Sequence, residues 1–198
     1  MKRILPVLVL LCLVSSVPCT DARLALMSKG VTASNPDACT TGQTMIGREA
    51  DGTTDDAGGG YIFTKFPALC TGNLASIKVY TYYSTTTTNC TAGVYSDSSG
   101  SPGSALGDTN GVNISPADWS NVTTTFTMDS PLAMTKNTVY HLAINCTNDN
   151  TVGFRYATGT TAQVHASFQP GSYTAGTLPA YDAWDSSARE YRIWGVAQ

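Results

Sequence analysis

From Tyr61 onward, apolar and polar positions alternate with a period of two, the signature of half-buried β-strands. In "SIKVYTYY" (76–83), Ile77, Val79, Thr81 and Tyr83 fall on one face, and Lys78, Tyr80 and Tyr82 on the other. The branched aliphatics mark the first face as the inner one. In "VTTTFTM" (122–128), Val122, Thr124, Phe126 and Met128 oppose Thr123, Thr125 and Thr127. "YIFTKF", "TAGVYSD", "VYHLAINC", "VGFRY", "AQVHASF" and "EYRIWGVA" read as further strands, separated by turn signals such as "SSG", "MTKN", "NDN" and "PGS". No amphipathic run of helical period and length competes. Short strands punctuated in this way predict an all-β, antiparallel sandwich or barrel.

Residues 23–60 are poorer in strand signals. "RLALMSKGVT" is a candidate first strand and "QTMIGREADG" a second, while "DGTTDDAGGGY" reads as a flexible loop because Gly58–Gly60 carry an entropic cost inside any regular element. The stretch "GVYSDSSGSPGSAL" (93–106) reads as a strand ending at Val94 and Tyr95 and running into a turn-rich loop. Backbone chemistry accounts for it. Asp97 can bond the backbone ahead of it, Gly100 tolerates positive φ, and Pro102-Gly103 repeats the punctuation.

Composition narrows the class. The chain has 198 residues, one domain's length, with 42% hydrophobic and only 13% charged residues. That charged share is about half the usual one. Ten Tyr, five Phe and three Trp can fill a core, so the profile is not a disordered one. The net charge of −3 and only 11 Lys and Arg, spread along the chain, exclude a nucleic-acid partner, which needs clustered cations to displace phosphate counterions.

Lys2 and Arg3 precede the apolar run Ile4–Val17, followed by small and polar residues. This is the pattern of a secretory signal and is too short for a permanent membrane span. Cleavage is favoured after Ala22, with Cys19 and Ala25 as alternatives. A lipoprotein reading at Cys19 is opposed by Pro18 before it. The expected organisation is a signal peptide over 1–22, an N-terminal segment over 23–60 with a donor-strand candidate and an acidic loop, and a β-sandwich over 61–198. No later membrane segment, sorting tail or anchor is expected, so the mature protein is read as secreted, extracellular or at the cell surface, with no membrane contact after cleavage.

Four cysteines follow the signal: Cys39, Cys70, Cys90 and Cys146. An even number in a secreted chain points to two disulfides, with three pairings open. Alternation puts Cys90 on a face with Ala92 and Val94, and Cys146 on a face with Leu142 and Ile144. Both then point inward, which favours Cys90–Cys146 and leaves Cys39–Cys70. Asn89, Asn113, Asn121 and Asn145 head N-glycosylation sequons. Pro116 weakens the Asn113 site, whereas Asn89 and Asn145 are expected to point outward, as a glycan requires.

"SIKVYTYYS", "AGVYSDSSGSPGSAL", "LAMTKNTVYHLAIN" and the closing "YRIWGVA" together resemble the jelly-roll-like β-sandwich modules of secreted bacterial and archaeal surface proteins, including the choice-of-anchor domains. The resemblance covers roughly residues 60–198 and implies a non-catalytic extracellular sandwich, jelly-roll-like in topology. It supplies no catalytic residues. Such modules are often joined to a C-terminal anchor, which is not expected here.

His141 and His165 each read as structural, and no HExxH, GxSxG or phosphate-binding loop occurs. No enzyme activity is expected. Glu49, Asp51, Asp55 and Asp56, joined by Asp182 and Asp185, could offer oxygens to a structural calcium ion, with Asp51, Asp55 and Asp56 as its centre; no other cofactor is expected. Tyr80, Tyr82, Tyr181 and Trp184 could form a carbohydrate-stacking face, against the competing reading that these rings pack on neighbouring elements. Two functions follow. The first is a structural subunit that polymerises with itself through strand or edge contacts into a filament, surface layer or matrix, with "RLALM" as the donated strand. The second is a carbohydrate-binding or adhesive module whose partners are glycans.

Overall fold

In the computed structural model, the described residues are 35–50, 54–58, 61–84, 86–115, 122–147, 152–158 and 189–198. The signal peptide, the "RLALM" segment and "AQVHASF" lie outside them. The strands, in chain order, are β1 (Thr44–Gly47), β2 (Thr54–Gly58), β3 (Tyr61–Pro67), β4 (Gly72–Ser84), β5 (Thr88–Ser98), β6 (Ser101–Asp108), β7 (Val112–Ile114), β8 (Val122–Met134), β9 (Val139–Cys146), β10 (Val152–Thr158), β11 (Arg189–Tyr191) and β12 (Ile193–Ala197). All lie within one compact unit, Pro36–Gln198.

The strands form two antiparallel sheets packed face to face, a β-sandwich. The seven-stranded sheet is built on β4. β8 pairs along one side of it, while β12 and then β10 follow one another along the other side. β1 extends the sheet from β12, and β2 and β11 extend it from β10. The five-stranded sheet runs β3-β9-β5-β6, with β7 beside β6 on the same flank of β5. The expected alternation holds: Ile77, Val79 and Phe126 face Val94, Leu142 and Ile144 across an apolar core, all nearly excluded from solvent.

Both disulfides link the expected partners. Cys90 and Cys146 are directly opposite in the β5–β9 ladder and face the core. Cys39–Cys70 ties the entry of the chain to the start of β4. Disulfides of this kind form in an oxidising environment. No helix among the described residues is long and apolar enough to cross a membrane.

Some elements differ from the sequence reading. "TDDAG" is a strand rather than part of a flexible loop, because β10 offers it a free edge: Asp55 pairs with Arg155 and Asp56 with Phe154. With β1 and β2 in the seven-stranded sheet, the sandwich takes in chain N-terminal to Tyr61. The stretch 93–106 is a hairpin. β5 continues to Ser98, and Ser99 and Gly100 turn the chain with φ of 54° and 91°. Two successive positive φ values match the twist of paired strands. β6 then accommodates Pro102 and Gly103 because it lies at a sheet edge, where a missing N–H is tolerated. "EYRIWGVA" breaks at Arg192, where the chain changes neighbours: the Arg192 N–H donates to Arg155 O, and its carbonyl accepts from Tyr80 N–H.

Candidate functional site

Among the described residues, one open feature of the sandwich is the outer edge of β8. Its inner flank pairs with β4 from Val122 to Met134. On the other flank a bridge joins Met128 to Thr109, and Val122–Thr127 have no backbone partner among the described residues. The register places Thr123, Thr125 and Thr127 opposite Tyr80, Lys78 and Ser76, and all three threonines are exposed. Natural edges are usually blunted by Lys, Pro or bulges. "VTTTFT" contains neither Lys nor Pro, and β-branched Val and Thr favour extended backbone. The bulge and the charge come only beyond it, at Met128–Pro131 and Asp129.

The entry of the chain is anchored close to this strand. Ala38 bridges Thr71, and Asp37 accepts from Lys136 Nζ at 2.6 Å, two residues past the end of β8. Thr71 Oγ1 accepts from the Lys136 N–H at 3.0 Å. The described chain therefore begins at the pole where β4 begins and β8 ends.

The exterior of the seven-stranded sheet carries an aromatic and cationic cluster. Tyr80 is only 8% exposed, and its ring is covered by the Arg192 guanidinium, 4.1 Å from its centroid. Arg155 lies 5.9 Å from the same ring, and Arg192 also reaches Trp194 at 5.8 Å. Arg192 Nε donates to Glu49 O at 2.6 Å, and Arg48 pairs with Glu190 at 2.7 Å. This corrects the expectation that Tyr80 offers an open ring to a sugar: cation–π stacking already occupies its face. Tyr82 lies two positions further along β4, and Tyr181 and Trp184 lie outside the described residues. Arg155, Arg192 and Trp194 were missed by sequence reasoning. The only signal available was the polar half of the alternation in "VGFRY" and "EYRIWGVA".

Asp97, the turn residue of the hairpin, also has a partner in the sheet. Its Oδ2 accepts from the Gly100 N–H at 3.1 Å, and its Oδ1 accepts from Nε2 of His141 at 2.8 Å. The His141 side chain is fully buried and that of Asp97 is 26% exposed. Beside them Phe63 packs edge-on to Tyr95, with ring centroids 5.0 Å apart. Burial pushes the Asp97 carboxyl up, but the hydrogen bonds from His141 and Gly100 and the charges of His141 and Lys65 outweigh it, holding Asp97 below the ordinary value of 3.8. A depressed carboxyl stabilises the fold above its unfolded value, and this contribution is lost as pH falls through the folded value. The acid limb of a stability–pH curve, below about pH 4, should therefore be shallower for Asp97→Asn than for wild type. Asp97→Ala, which strips the hydrogen bonds to the Gly100 N–H and to the buried His141 imidazole, should cost about 2 kcal/mol at neutral pH. Urea denaturation at several pH values checks both.

Asp55 and Asp56 are adjacent positions of β2 and not part of a loop; Asp51, Asp182 and Asp185 lie outside the described residues. Asn89 is half-buried and Asn113 exposed, and Asn121 lies outside the described residues. Asn145 corrects the expectation of an outward, accessible amide. Alternation does place it on the exterior of its sheet, but it is 1% exposed, and neither its Nδ2 nor its Oδ1 has a hydrogen-bond partner among the described residues. Period-two reasoning assigns a face; it does not report what covers that face. Neither a protein-family model nor a curated protein sequence matches the chain.

Proposed function

We propose that the chain is a secreted, non-catalytic structural subunit that assembles with copies of itself into an extracellular filament, surface layer or matrix. The observation that carries this reading is the uncharged outer edge of β8, where Val122–Thr127 have no strand beside them on the flank away from β4 among the described residues. An edge of this kind is completed when an extended segment adds to it, main-chain hydrogen bonds supplying affinity and alternate side chains supplying register. The donor is the N-terminal segment of a neighbouring copy, residues 23–34 with "RLALM" at their start. Asp37, Ala38 and the Cys39–Cys70 bridge hold residues 37–39 at the pole of the sandwich. The two disulfides suit a subunit that persists outside the cell, and the resemblance to secreted surface-protein sandwiches points the same way.

Negative-stain microscopy and light scattering on the purified mature protein should reveal extended assemblies. The double substitution Thr123→Lys and Thr127→Lys, and separately deletion of 23–34, should each leave a monomer with a near wild-type melting temperature. A monodisperse wild-type monomer at every concentration, with and without calcium, would sink the reading.

A further inference from the structure

Three of the sequons converge on one end of the five-stranded sheet. Cys90 and Cys146 are the middle residues of Asn89-Cys90-Thr91 and Asn145-Cys146-Thr147, and their disulfide locks those two sequons side by side. Thr147, whose hydroxyl belongs to the Asn145 sequon, is engaged with the other one. Its Oγ1 accepts from the Asn89 N–H at 3.1 Å and shares a 2.9 Å hydrogen bond with Thr88 Oγ1. On the opposite flank of β5, Asn89 pairs in register with Asn113 of β7. Asn89 Nδ2 donates to Asn113 Oδ1 at 2.9 Å.

These side chains differ in the room they have. A Cβ placed on Gly111 would lie 2.4 Å from Asn89 Oδ1, so the Asn89 amide is wedged between that backbone and Asn113. Asn113 is exposed, and its contact to Asn89 uses its oxygen and leaves its nitrogen out of that bond. Asn145 is enclosed. Directly opposite residues have Cβ atoms about 5 Å apart, too close for two branched oligosaccharides to leave side by side.

We propose that the Asn89/Asn113 pair carries one N-linked oligosaccharide, on Asn113, and that Asn89 and Asn145 carry none in the folded protein. The donor is a polyprenyl-pyrophosphate-linked oligosaccharide. Asn113 Nδ2 forms a bond to the anomeric carbon and gives up one proton, and the C–O bond to the lipid pyrophosphate breaks with its electron pair leaving on the pyrophosphate oxygen. Transfer occurs on a chain not yet fully folded, so folding selects among the products. A sugar on Asn113 Nδ2 leaves Oδ1 able to accept from Asn89. A sugar on Asn89 would replace a proton of the nitrogen that donates. A sugar on Asn145 would have to be accommodated at a position closed to solvent. Pro116 lowers the extent of transfer to Asn113 without altering which of the three side chains has space for the product.

The proposal depends on passage through a compartment that holds the transferase, and not on self-assembly. The test is expression of the full chain in a eukaryotic secretory cell, isolation of the folded, disulfide-bonded protein, and glycopeptide mass spectrometry. The expected result is glycan at Asn113 and none at Asn89 or Asn145, with Asn113→Gln losing that glycan while keeping its near-ultraviolet circular dichroism. Glycan on Asn145 or Asn89 of the folded protein, or an unmodified Asn113, would overturn it.

Discussion

Replacing Cys90 and Cys146 together by Ala should lower the unfolding free energy by about 4 kcal/mol, the loop-entropy value for a bridge of this span. The two cysteines are 56 residues apart in sequence, so the bridge removes a large set of open conformations from the unfolded chain. It joins β5 to β9, the two central strands of the five-stranded sheet, and both sulfurs sit in the core. The loss should therefore be global, lowering the melting temperature by roughly 10 °C or more for a unit of this size. The Cys39–Cys70 bridge spans 31 residues and has a similar value on loop length alone, but it holds the chain entry against the start of β4. Its removal should loosen that entry first, and amide exchange should show the opening at residues 36–43 while the β5–β9 ladder stays protected. Urea denaturation of each double variant, without reductant, separates the two cases. An effect below about 1 kcal/mol for the Cys90–Cys146 pair would mean that the ladder holds those strands together unaided.

Gly47→Ala should cost about 3 kcal/mol, adding a left-handed backbone to an overpacked site. Gly47 has φ of 97°, and a Cβ there would lie 2.3 Å from Ile193 O and 2.7 Å from Trp194 Cα. Those atoms are backbone of the neighbouring β12 and cannot rotate aside. Leu142 Cδ1 of the facing sheet would be 3.0 Å away, so relief in that direction disturbs the core. The same turn of chain positions Arg48, whose N–H donates to Ile193 O at 2.9 Å and whose guanidinium pairs with Glu190. Gly195→Ala makes a useful comparison. Its Cβ would meet Leu74 Cδ1 at 2.4 Å and Ile46 Cγ2 at 2.8 Å, side-chain ends that can repack, so it should be the milder of the two. Thermal denaturation of both variants tests this order.

The candidate site was only partly legible. The exposed threonines of β8 were readable as the polar half of "VTTTFTM", since alternation depends only on neighbours in the strand. That β8 is an edge was not readable, because strand order depends on which of several equally suitable partners β4 takes. The buried Asp97–His141 contact joins residues 44 apart through the β5–β9 register; Asp97 was readable only in its local role, the turn bond to Gly100. The Arg192 stack on Tyr80 was hidden for the same reason, since it arises where the chain leaves β10 for β4 at Arg192.

By itself, the sequence determined the class of fold, the positions of most strands, the inward faces of β4 and β9, a turn over Asp97–Gly100, and a pairing of cysteines consistent with those faces. Each of these is a local property: period-two alternation, the φ preference of one or two residues, or the side on which a side chain leaves its strand. Only the tertiary structure decided that "TDDAG" is a strand, that Asn145 is enclosed while Asn113 is exposed, that Tyr80 lies beneath Arg192, and that β8 is the last strand of its sheet among the described residues. These depend on contacts between segments far apart in the chain. Their energies come from burial and from hydrogen bonds completed by a distant partner, which no local pattern encodes.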